Sequence, residues 1–173
     1  MLTSAGGLGV LRFATNSFDG FIEVTGEDYG PLLVFFPVLV RDFVVRGGNP
    51  IPRHDTFTRL VQGLAPPLPD RATLLVAVND CDGDRAAGVK VAIDPADGAT
   101  PFYFAGGIPS PAATQTDSRG VLAVGGFVNV RTNTAITIRP SVVANTLAFA
   151  PTVAFVRPGP FSYSVVIMYA QNP

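Results

Sequence analysis

At 173 residues the chain can bury one good hydrophobic core; 47% of it is apolar and only 14% charged, where an ordinary soluble domain carries roughly 25% charged residues. The 12 basic and 13 acidic residues leave a formal net charge of -1, and Lys90 apart the basic residues are arginines scattered singly, which excludes the basic patch that phosphate-backbone binding needs. A single cysteine excludes an intramolecular disulfide framework and a multi-cysteine zinc site, and a single histidine excludes three-histidine zinc chemistry.

The 18 glycines and 16 prolines run through the whole chain and cut it into short pieces rich in Val, Ile, Thr, Phe and Tyr, the signature of an all-β fold. The opening "MLTSAGGLGVLRF" has neither a basic start nor an apolar run of signal-peptide length, so the chain is expected to be cytosolic or a segment whose signal lay upstream. "GGLG" at 6–9 is followed by neither G-x-G-x-x-G nor a Walker lysine, so no phosphate cradle is read there. Strands are expected at 8–14, 20–25 and 32–40. The run "PLLVFFPVLV" at 31–40 is about half of the ~20 residues a membrane helix requires, and reads as a buried strand or contact surface.

In "HDTFTRLVQGLAPP" the apolar residues Phe57, Leu60, Val61 and Leu64 recur at helical spacing, with Asp55 at the start and Pro66-Pro67 at the stop. A helix near 55–64 of about two turns is too short to stand alone, so it must lie on a sheet or plug a gap between units. Pro- and Gly-rich stretches on either side of it mark a boundary. The expected organisation is a β-strand unit at 1–45, a linker with the helix at 46–70, and a β-sandwich domain at 71–173. "TSAGGLGVLRF" echoes "TDSRGVLAVGGF" at 116–127, so 1–45 reads as part of a repeat, or as strands completed by the rest of the chain or by a partner.

Strands follow at 73–81 and 87–94, and between them "DCDGD" gathers Asp80, Cys81, Asp82 and Asp84. Counted as an EF-hand loop from Asp80, the glycine is misplaced and Val91 stands where the bidentate carboxylate is needed. Asp82-Gly83 suits a tight two-residue hairpin turn, with "GVKV" as the returning strand. A surface calcium site built from Asp80, Asp82, Asp84 and Asp117 is the alternative. Cys81 is expected to pack as a small buried hydrophobe beside Leu75 and Ala77; an exposed thiol forming an intermolecular disulfide is the other reading.

Phe102, Tyr103 and Phe104 on the strand at 101–105 are read as core, with an exposed ring platform for a sugar or a partner as the alternative. Strands at 120–130, 134–139, 146–156 (broken at Pro151) and 161–169 complete the set. The last alternates at period two and ends apolar on both faces, which predicts a central position in a sheet. A Ser-His-Asp triad would have to use His54 without a G-x-S-x-G elbow; Glu23, Glu27 and 11 aspartates leave a carboxylate pair for glycoside hydrolysis open, though most of the aspartates stand in turn-like contexts beside Gly or Pro.

The order Val78-x-Asp80-x-x-Gly83, Gly88-Val89-x-Val91 and Thr116-Asp117-x-x-Gly120 resembles the carboxypeptidase regulatory-like, or transthyretin-like, β-sandwich domains of bacterial secreted and surface proteins, over roughly 72–170. The resemblance implies a Greek-key β-sandwich, transthyretin-like or immunoglobulin-like, with no catalytic residues and no cofactor, serving as a spacer, adhesion or assembly module outside the cell or on its surface. Low charge and abundant apolar surface point the same way, to a non-enzymatic structural module that self-associates through β-edges. Binding of a carbohydrate or another protein is the second reading; neither nucleic acid nor a membrane span is expected.

Overall fold

The computed structural model describes residues 18–26, 29–36, 54–117, 124–142, 147–158 and 162–171; the strand expected at 8–14 lies outside them. Among the described residues the chain is an all-β sandwich of two sheets with one short helix. The large sheet holds β1 (Phe21–Gly26), β2 (Tyr29–Phe35), β3 (Arg71–Asn79), β5 (Thr100–Ala105), β6 (Ile108–Ser110), β7 (Val124–Arg131) and β10 (Tyr163–Tyr169), in the spatial order β1-β2-β10-β3-β7-β5-β6. The small sheet is β4 (Val89–Asp94), β8 (Ile136–Val142) and β9 (Thr152–Ala154), in the order β4-β8-β9.

β10 takes the central place its sequence predicts. It runs parallel to β2 on one side, with Val165 opposite Val34, and parallel to β3 on the other, with Val165 opposite Leu75. β1 and β2 are therefore strands of the same sheet as β3 and β7, joined through the last strand of the chain. All other pairings are antiparallel.

Burial explains which strands go where. β3 reads "RATLLVAVN" and is apolar on both faces, as a strand covered on both sides must be. β4 reads "VKVAID": Val89, Val91 and Ile93 are buried while Lys90, Ala92 and Asp94 are exposed, the period-two pattern of a sheet with one wet face. The core between the sheets packs Leu33, Leu74, Val76, Val78 and Val166 against Val89, Val91, Ile136, Ile138 and Val156.

The other face of the large sheet is covered by α1 (His54–Gln62), so the helix lies on a sheet. Phe57 and Val61 are buried there with Leu32, Phe102, Val128 and Tyr163, and the Phe57 and Tyr163 rings stack with centroids 4.2 Å apart. In the first turn the Asp55 carboxylate accepts the Thr56 N–H at 2.8 Å and pairs with Arg59 one turn on at 3.0 Å.

One element departs from expectation, and one breaks where the sequence places the break. β6 is too short to show a period, and Pro109 in its middle argues against a strand; pairing with β5 forms it nonetheless, at an edge where the missing N–H costs nothing. The stretch expected as a strand at 146–156 is cut by Pro151 to three residues of β9, with an isolated bridge between Ala148 and Gln171 before it.

Candidate functional site

The corner at 79–86 is a hairpin of three loop residues, not two. Asp80 N–H donates to the Asp84 carbonyl at 2.7 Å and Gly83 N–H to the Asp80 carbonyl at 3.2 Å, so Cys81 and Asp82 form the centre of the turn. Gly83, at φ 86°, is the left-handed residue that such a three-residue loop requires after its turn. Asp80 Oδ1 accepts the N–H groups of Asp82 at 3.0 Å and Asp84 at 2.8 Å, the turn-building use of aspartate.

Expectation fails beyond the turn. The hairpin ends at the bridge of Asn79 with Arg85, and "GVKV" does not return along β3: β4 crosses to the small sheet and pairs with β8. The physical reason is burial, because a strand with one polar face belongs in the sheet that has one wet face. Cys81 is likewise corrected: it stands exposed in the turn, past the end of β3, rather than packed beside Leu75 and Ala77.

Of the calcium candidates, Asp82 and Asp84 are exposed, and Asp80 and Asp117 are half-buried. Among the described residues no three His, Cys, Asp or Glu side chains are placed together to hold a metal ion. The aromatic trio divides between the layers: Phe102 is buried under the helix, Tyr103 points into the core between the sheets, and Phe104 is half-buried on the helix side.

What the structure does bring together is an asymmetry between the two flanks of the sandwich. Tyr103 of β5 reaches Val91 of β4, and the Ser164 hydroxyl of β10 donates to the Phe155 carbonyl just past β9 at 2.8 Å. β4 therefore lies over β5 and β9 over β10. At about 4.8 Å per strand the seven-stranded sheet is roughly 29 Å wide and the three-stranded one roughly 10 Å. β2 and β1 extend past β9, and there the sandwich gapes.

That flank carries an open groove of about 770 Å³. Four rings line it, Phe36 among them: Phe21 and Phe35 lie 5.4 Å apart on paired strands, and Phe155 meets them edge-on at 5.1 and 5.4 Å. Val153, on the adjoining edge strand, is 59% exposed. Two residues along β1 from Phe21, on the same face, Glu23 pairs with Arg157 at 3.0 Å. The run at 31–40, which reads in the sequence as a buried strand or contact surface, supplies Phe35 and Phe36 to the groove. No such sign in the sequence marks Phe21 and Phe155, which nothing local distinguishes from core rings.

The chain matches no model of a known protein family and no curated protein. No helix among the described residues is long and apolar enough to cross a membrane.

Proposed function

We propose that this protein is a non-enzymatic structural module that self-associates through its sheet edges, and that it works outside the cell or on its surface. One observation carries the self-association: β9, an edge strand of the small sheet among the described residues, stands beside an apolar groove where a fourth strand would cover β2 and β1. Unpaired edges take partner strands through main-chain hydrogen bonds, while pockets for alternate side chains give selectivity. The proposed occupant is a strand of a second copy. The extracellular setting and the kinship with carboxypeptidase regulatory-like modules rest on the resemblance of the 78–91 and 116–120 motifs.

The test is the mass of the native particle by light scattering, with and without reductant, for the natural chain and for Val153→Lys. A lysine on an edge strand opposes pairing and leaves the core untouched. Multimers that Val153→Lys disperses, unaffected by reductant, support the reading; a monomer at all concentrations overturns it.

A second reading, binding of a carbohydrate or another protein, draws on the same groove, whose volume falls within the roughly 300–1,000 Å³ of small-molecule pockets and whose aromatic lining suits a ring. It requires a monomer whose melting temperature rises with ligand, an effect lost in Phe155→Ala.

A further inference from the structure

The other flank of the small sheet is built differently. Val91 faces Pro140 across the β4–β8 ladder, and a proline has no N–H with which to complete a doubly bonded pair. The N–H and C=O of Val91 therefore turn to the outer edge, as do those of Val89 two residues before. On an ordinary edge strand these groups would await another chain.

Here two buried residues occupy them, Tyr103 through its hydroxyl and Thr116 through its hydroxyl and its backbone N–H. The Val91 N–H donates to Tyr103 Oη at 2.8 Å, and the Tyr103 hydroxyl donates to the Val91 carbonyl at 3.4 Å. The Val89 N–H donates to Thr116 Oγ1 at 3.0 Å, and the Val89 carbonyl accepts the Thr116 backbone N–H at 2.9 Å. Thr116 is fixed in turn: its hydroxyl donates to the Ala86 carbonyl at 2.7 Å, and its own carbonyl accepts the Gly88 N–H at 2.9 Å. Neither residue is on a strand of the small sheet. Tyr103 comes from the large sheet, and Thr116 from the segment that follows β6.

We infer that Thr116 and Tyr103 are edge seals, which close β4 to strand addition and leave β9, the other edge of the small sheet among the described residues, open to a partner. The second half of this inference rests on the self-association proposed above; the first half does not. A sheet with two open edges polymerises without limit, whereas one sealed edge confines growth to a single direction. The Tyr103 hydroxyl suits the task because it both donates and accepts, and so satisfies the N–H and C=O of Val91; at Val89 the Thr116 hydroxyl takes the N–H and the Thr116 backbone N–H takes the C=O.

The experiment uses the full chain as Tyr103→Phe, Thr116→Val and the double variant, each compared with the natural protein. The seal predicts amide exchange at Val89 and Val91 faster by about tenfold, the scale of one net hydrogen bond. It also predicts concentration-dependent association beyond that of the natural chain, under conditions where thermal melts show the variants folded. Val91→Pro in the Tyr103→Phe background removes the outward N–H at a position where an edge strand tolerates proline, and should return the mass to the natural value. A residue that merely packs would lower the melting temperature and would not be rescued this way. If the double variant fails to fold, Tyr103→Phe, which deletes one oxygen, decides the matter.

Folded variants with natural mass and natural exchange at Val89 and Val91 overturn the seal. A monomeric natural chain whose variants associate upholds the seal and sinks the self-association at β9. A natural chain that associates, with variants that associate no further, does the reverse.

Discussion

Gly126 and the ring of Phe102 share one volume: a Cβ on Gly126 would stand 2.6 Å from Phe102 Cζ and 2.8 Å from the carbonyl oxygen of Leu74. Phe102 is held by the helix above it, and Leu74 is backbone in the centre of the sheet, so neither can yield cheaply. Gly126→Ala is expected to cost about 2 kcal/mol through overpacking, read as a lower denaturant midpoint at unchanged slope. Gly125→Ala meets the Tyr103 ring at 2.7 Å with no backbone atom among its nearest neighbours, and should cost less. Equal losses would show that β7 shifts as a unit instead.

These two glycines also show how far the sequence could be read. "VGGFVNV" marks a strand by its flanks, yet what the glycines are for depends on Phe102 and Tyr103, two dozen residues away. Local pattern was enough where one strand carries its own evidence: β10 alternates and is central, and the helix has its stripe and its stops. It failed at "DCDGDRAAGV", because the same turn chemistry serves a hairpin and a crossing between sheets. The deciding signal was present in the next strand, since one-sided "VKVAID" cannot lie in the two-sided layer of "TLLVAV". The groove was least legible of all. It arises from unequal sheet widths, and no short stretch of sequence encodes those.

Asn129 holds the connection from the helix into β3. It sits at φ 60° where the β3–β7 register slips, accepts the Leu68 N–H at 3.1 Å through Oδ1, and donates Nδ2 to the Pro66 carbonyl at 3.0 Å. Asn129→Gly keeps the left-handed backbone and loses the side-chain bonds, for about 1 kcal/mol. Asn129→Ala loses the bonds and adds about 1 kcal/mol of left-handed strain. The order natural, Gly, Ala in denaturant midpoint is the expected outcome; Ala at or above Gly would show that the side-chain bonds alone matter.

Alkali should lower the protein's stability through Tyr103 and Tyr169. Burial pushes the Tyr103 phenol above its ordinary value of 10, partly offset by the Val91 N–H, and burial pushes Tyr169 the same way. A folded-state value above the unfolded one means that the native state keeps its proton while the unfolded state has lost it. The stability these groups contribute is thus complete below pH 10 and falls as pH rises from there through the raised values. Denaturant midpoints should be flat from about pH 8 to 9 and decline above about 10; Tyr169→Phe should shallow the decline, and an unchanged slope would remove Tyr169 from the account.

The exposed turn position of Cys81 makes a direct chemical forecast. A thiol reagent such as 5,5′-dithiobis(2-nitrobenzoate) should titrate one thiol per chain without denaturant. Cys81→Ser should leave the midpoint within about 0.5 kcal/mol, as surface substitutions do. A thiol that reacts only after unfolding would return Cys81 to the core.

Glu23 and Arg157 separate stability from association most sharply. Their side chains are 38% and 44% exposed, so the 3.0 Å ion pair contributes about 0.5 kcal/mol or less once solvent screens it. Glu23 nevertheless puts a charge on the inward face of an edge strand, where it shares that face with Phe21, and inward charges are a device against edge pairing. Arg157→Ala keeps that carboxylate and should change neither the midpoint nor the particle mass appreciably. Glu23→Val removes the charge and extends the apolar lining along β1, and should raise association in light scattering while leaving the midpoint within about 1 kcal/mol. If the two variants associate alike, the charge on β1 does not govern the flank, and the ion pair merely ties the end of β9 to the large sheet.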